Sequence, residues 1–104
     1  MTTGREAAKT HFDAIVNCLL AYDTASAAGK SNISRALTGL NAEYARLRGV
    51  PNYATKTYAV LTGELKAAKG ALERVRDDRA NLANHLVTAG EILSTMSAVL
   101  GLIA

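Results

Sequence analysis

Residues 54–103 read ATKTYAVLTGELKAAKGALERVRDDRANLANHLVTAGEILSTMSAVLGLI. Stepping alternately four and three residues from Ala54 lands on Tyr58, Leu61, Leu65, Ala68, Leu72, Val75, Arg79, Leu82, Leu86, Ala89, Leu93, Met96, Leu100 and Ile103. Every one is apolar or tyrosine except Arg79. A 3.5-residue period keeps one stripe of a helix facing a partner, whereas the period of two in a strand would scatter these residues over both faces. The stretch therefore predicts helix, and the chain predicts an all-α fold: a small helical bundle of two shorter helices packed on a long C-terminal helix.

Working back toward the N-terminus, the same rhythm predicts a first helix over 3–28. Its stripe is Ala8, Phe12, Ile15, Leu19 and Tyr22, widened by Val16 and Leu20, and Gly29 supplies the stop. Ser31 or Asn32 caps a second helix over 32–48, with Ile33, Leu37, Leu40, Tyr44 and Leu47 on its stripe. Gly49-Val50-Pro51 ends it, because glycine accepts a left-handed turn and proline cannot continue a helix. Asn52 then caps the third helix, over 53–103. Unbroken, that helix would be about 75 Å long. Against continuity stands Thr88-Ala89-Gly90-Glu91, which has the spacing of a capping box ahead of an apolar run. A break there turns the chain into a four-helix bundle.

The 104 residues form one domain, large enough to fold without a metal or disulfide. Cys18 is the only cysteine, which precludes an intramolecular disulfide, and the N-terminus lacks the apolar core of a secretory signal. The expected location is cytoplasmic. Residues 92–104 carry no charge, yet a 13-residue helix is only about 20 Å long and falls short of a bilayer core. The tail reads as a helix end buried in protein, with a membrane-surface role as an alternative.

Catalytic, metal and cofactor sites are not expected. His11 and His85 are the only histidines. His11 and Cys18 share a helix face but lie two turns, about 10.5 Å, apart, too far for one metal ion. Cys18 sits beside Leu19 and Leu20 with no adjacent cation to activate it. Glu73 to Arg79 is a mixed-charge run of the kind found on solvated helix faces. Gly29-Lys30-Ser31 lacks the first glycine and the preceding strand of a phosphate loop, and reads as a helix stop followed by a cap.

The expected function is self-association and protein interaction without enzymatic activity. A long stripe exceeds what two short helices can cover, so the surplus must meet another chain, most simply in a homodimer. The residues assigned to that contact are Leu61, Leu65, Leu72, Val75, Arg79, Leu82, Leu86, Leu93, Met96, Leu100 and Ile103. Arg79 acts as a register device or lets its guanidinium snorkel to solvent.

Charge suggests an alternative. The whole net charge of +3 resides in residues 31–60, through Arg35, Arg46, Arg48 and Lys56 against Glu43. Ala45, then Gly49 and apolar Val50 ahead of a capped helix resemble the helix-turn-helix of DNA-binding regulators. The resemblance covers residues 44–58 and departs from the pattern at Arg48, where an apolar residue belongs. It implies a dimeric regulator with Asn52, Tyr53, Thr55 and Lys56 at base edges and Arg46 and Arg48 near phosphates. An ordinary helical hairpin with a basic rim explains the same residues.

Overall fold

The computed structural model describes all residues, 1–104, and contains six helices and no strand. They are α1 (Gly4–Tyr22), α2 (Ala27–Arg48), α3 (Gly63–Ala67), α4 (Lys69–Asp77), α5 (Arg79–Leu82) and α6 (Ala89–Ile103). The all-α bundle is as expected. The long helix is not: the whole molecule measures 39 × 22 × 21 Å, about half the length an unbroken 53–103 helix requires.

Three local causes divide it. Residues 49–56 turn and bend, and 57–62 run extended instead of starting a helix. That segment finds its backbone partners in the N-terminus, where the Gly4 amide donates to the Lys56 carbonyl at 2.8 Å and the Tyr58 amide to the Thr2 carbonyl at 2.8 Å. Paired backbone at both termini of this clip outweighs the helical pattern of the side chains. Next, shallow bends at Ala68 and Asp78 make α3, α4 and α5 one curved arm. Thr62 caps its start by accepting from the Leu65 amide at 3.2 Å.

Last comes the break before α6. Thr88 accepts from the Glu91 amide at 3.1 Å and Glu91 accepts from the Thr88 amide at 3.3 Å, so the capping box is real. Asn84 fastens the loop: its carbonyl oxygen accepts from the Leu86 and Val87 amides at 2.7 and 3.2 Å, and its amide donates to the Leu20 carbonyl at 3.0 Å. The seam does not stay on one face across these breaks: Leu65, Leu72, Val75, Leu82 and Met96 turn to the core, whereas Leu61, Leu86 and Leu93 stay exposed and off-seam Val87, Ile92 and Val99 are buried. The chain thus becomes the four-helix arrangement, with α1, α2, the α3–α5 arm and α6 packed in a closed ring.

The shorter helices also start and stop elsewhere than expected. Helix α1 ends at Tyr22 and α2 begins at Ala27, where Ser26, not Ser31 or Asn32, caps it by accepting from the Gly29 amide at 3.1 Å. Gly29 is inside α2 and buried against Leu82, so its small size matters rather than any stop. Gly49 does end α2 but with right-handed angles (φ −85°), and the left-handed residue is Asn52 (φ 57°).

The centre of the buried face of α1 is Ala7, His11, Ala14, Cys18 and Ala21; of the expected stripe Ala8 is buried and Ile15 and Tyr22 pack on the core edge, but Phe12 and Leu19 are exposed. Small residues let α1 approach α2 closely, which bulky ones would forbid. The core beneath is Ile33, Ala36, Leu40, Leu65, Leu72, Val75, Leu82, Val87, Ile92, Met96 and Val99. No helix is long and apolar enough to cross a membrane.

Candidate functional site

Two features of the fold bear on function: a buried carboxylate and an outward apolar face. Glu43 belongs to the inward stripe Ile33–Ala36–Leu40–Glu43–Leu47 of α2 and is fully buried. A buried carboxylate needs donors, and the extended 57–62 segment delivers them. Glu43 Oε2 accepts from Tyr58 Oη at 2.6 Å and from the Leu61 amide at 2.9 Å. Its Oε1 accepts from the Thr62 amide at 2.9 Å and from Thr62 Oγ1 at 2.7 Å. Burial pushes the Glu43 carboxyl up, but the hydrogen bonds from Tyr58, Thr62 and the Leu61 and Thr62 amides together hold it below its ordinary value.

His11, also fully buried, reaches Tyr58 from α1, with Nε2 3.0 Å from Oη. Tyr58 has one hydroxyl proton and gives it to Glu43, so His11 Nε2–H must donate. In the neutral ring this leaves Nδ1 as a bare lone pair, and no partner reaches it. Burial, opposed by the charge of Glu43, keeps the His11 pKa below its usual value. Burial and the neighbouring Glu43 carboxylate push the Tyr58 phenol well up, so it stays protonated. The chain His11–Tyr58–Glu43 ties α1, the 57–62 segment and α2 together. Every lone-pair direction of the carboxylate is spoken for, and the phenol is a poor acid. The arrangement is a clamp.

A pH dependence follows. Glu43 titrates lower in the folded than the unfolded chain, so its contribution is complete above its ordinary 4.5 and is lost as pH falls through the lowered folded value. His11 also titrates lower when folded, so below its ordinary 6.5 the unfolded chain takes up the proton first and stability declines. The urea midpoint should therefore fall between about pH 7 and about pH 5, and His11→Phe should flatten that limb. A wild-type midpoint constant over this window would refute a neutral, buried His11.

The second feature is the outer face of α1. Phe12 and Leu19 are 50% and 57% exposed, with half-buried Val16 between them. Phe12 leans on Tyr44 of α2, ring centroids 6.0 Å apart. An open groove of about 570 Å³ runs along this side between α1 and the start of α6, lined by Phe12, Asp13, Val16, Asn17, Glu91 and Thr95 among others. Asn17 closes its floor by donating to Thr95 Oγ1 at 3.0 Å and to the Glu91 carbonyl at 3.2 Å.

The sequence-derived self-association residues are dispersed by the fold. Leu65, Leu72, Val75, Leu82 and Met96 are at most 2% exposed and hold this chain's own core. Leu100 and Ile103 pack on its edge. Arg79 is half-buried, its guanidinium donating to the Arg76 carbonyl at 3.3 Å. Leu61, Leu86 and Leu93 are exposed at 43%, 56% and 37%, in an extended segment, a loop and α6 respectively, so they form no single stripe.

The helix-turn-helix does not form. Residues 49–62 contain no second helix, so Asn52, Tyr53, Thr55 and Lys56 lie on a turn clipped to the N-terminus. Asn52 is left-handed, and Thr55 Oγ1 donates to the Asn52 carbonyl at 3.4 Å. Arg48 donates to Tyr44 Oη at 2.8 Å and its guanidinium stacks over the rings of Tyr44 and Tyr53, while Arg46 is exposed on α2. Burial raises the Cys18 thiol to about 12, which makes it a small hydrophobe at neutral pH. No three His, Cys, Asp or Glu side chains converge closely enough to hold a metal ion.

Sequence reasoning missed the clamp. The available signal was Glu43 three residues after Leu40 and four before Leu47, a carboxylate on an inward stripe. Comparison with protein-family models, with curated proteins and with solved structures finds no match to this chain.

Proposed function

We propose that this protein is a non-enzymatic assembly module that works by associating with a second copy of itself through the outer face of α1. One observation carries the reading: between Phe12 and Leu20, α1 carries large or small apolar residues on both its inner and its outer side, with Asp13 and Asn17 the polar residues on its flank. Its inner side (Ala14, Cys18) is consumed by the core, while on its outer side Phe12 and Leu19 remain 50% and 57% exposed beside half-buried Val16, with only the ring of Phe12 resting on Tyr44. Singly exposed leucines such as Leu61 or Leu86 need no explanation, but a stripe of large side chains along one helix face does.

Support does not come from surplus seam on residues 54–103, since the bent arm and α6 spend that stripe on the core of the same chain. Two substitutions test the reading. Phe12→Asp and Leu19→Asp lie outside the core and should leave the helical circular dichroism intact while reducing the native mass, by sedimentation, from two chains to one. A wild-type protein that sediments as a single chain at every concentration would overturn it.

A further inference from the structure

The outer face of α1 has its own four-three pattern: Arg5, Lys9, Phe12, Val16, Leu19 and Asp23. It is basic at the start, apolar in the middle and acidic at the end, with all but half-buried Val16 exposed. Resting on the self-association just proposed, we infer that two copies pair through this face with their α1 helices antiparallel, in the register that sets Arg5 of each chain against the partner's Asp23.

Orientation follows from charge. Parallel pairing would stack Arg5 on the partner's Arg5, Lys9 on the partner's Lys9 and Asp23 on the partner's Asp23, like charges at both ends of the seam. Antiparallel pairing replaces each end with an opposite pair, and two-fold symmetry makes the contact twice. Register follows from the apolar centre. With Arg5 opposite the partner's Asp23, Phe12 meets the partner's Val16 and the reverse, and α1 overlaps along its whole length. Sliding by one heptad sets Arg5 against the partner's Val16 and leaves an unpaired charge on apolar surface.

A second observation is independent of the pattern. Arg5 sits in the first turn of α1 and Asp23 at its C-cap, each at the end of the helix dipole that disfavours its sign. Neither has an ion-pair partner within the chain, whose two salt bridges are Lys9–Asp13 at 2.8 Å and Arg76–Asp77 at 2.9 Å. Beside an antiparallel partner both placements change sign: Arg5 faces the negative C-terminal end of the partner's α1, and Asp23 its positive N-terminal end. The Lys9–Asp13 bridge meanwhile draws the ammonium of Lys9 toward the flank of the seam, which lets its stem pack beside Leu19 of the partner subunit.

Sedimentation equilibrium over a wide concentration range tests the geometry on the full chain, with circular dichroism as the check on folding. Arg5→Asp alone, or Asp23→Arg alone, turns two attractive contacts into two repulsive ones and should weaken the dimer about tenfold at low salt. The double variant Arg5→Asp/Asp23→Arg restores both contacts with signs exchanged and should recover wild-type affinity. Failure of the double variant to recover, or single variants that dimerise like wild type, would overturn the antiparallel register while leaving self-association standing. A wild-type chain that never dimerises would overturn both.

Discussion

Glu43→Ala should lower the free energy of unfolding by about 3–5 kcal/mol, a large share of what a domain of this size possesses. The substitution does more than remove a charge. It removes the acceptor shared by the Tyr58 hydroxyl, the Leu61 and Thr62 amides and the Thr62 hydroxyl, all of them part-buried. It also frees the 57–62 segment from α2, and with it the clip that holds the N-terminus. Glu43→Gln keeps the shape and one carbonyl acceptor, so its loss should be smaller, about 1–3 kcal/mol. Urea unfolding at neutral pH measures both. A cost below about 1 kcal/mol for Glu43→Ala would mean that water or a rearranged backbone satisfies these donors, and the clamp would cease to explain the fold.

Gly39→Val carries the next largest expected effect, a loss of about 3 kcal/mol. Gly39 lies in the middle of α2 where α3 crosses it. A Cβ added there would stand 2.5 Å from the Ala68 Cβ and 2.8 Å from the Glu64 carbonyl oxygen. Neither neighbour is the free end of a flexible side chain, so the arm itself must move away from α2. The contrast is Gly70 on α4, where an added Cβ meets only the Arg74 guanidinium, at 3.9 Å. Gly70→Ala should therefore stabilise, by up to about 1 kcal/mol, through helix propensity alone. Equal effects at the two sites would show that propensity and not contact decides both.

Periodicity reads side chains, and it read several of them correctly. Leu65, Leu72, Val75, Leu82 and Met96 are indeed on one inward stripe, and Thr88 and Glu91 do form the capping box their spacing implies. What a stripe cannot report is whether its partner is another molecule or the same chain folded back. The same four-three rhythm serves both cases, because each piece of a broken helix can turn part of the stripe to the core of its own chain. In α1 two stripes compete, a bulky one through Phe12 and Leu19 and a small one through Ala7, Ala14 and Ala21. Hydrophobicity ranks the bulky stripe first. Close approach to α2 selects the small one, and Phe12 and Leu19 are left outside.

The clamp was hidden for a related reason. Glu43, Tyr58 and His11 come from three separate elements, 15 to 47 residues apart along the chain. Taken singly each is unremarkable: a charge on a helix, a tyrosine on a stripe, a histidine without neighbours. Only the folded chain shows that Tyr58 serves both of the others.

Helical content, the absence of strands and the capping box of Thr88 and Glu91 were determined by the sequence itself, because each rests on contacts within a few residues. Where the third helix breaks, which face of α1 is buried and what Glu43 binds were decided by the tertiary structure. Those choices weigh backbone hydrogen bonds and close packing between segments far apart in the chain, and local pattern carries no measure of either.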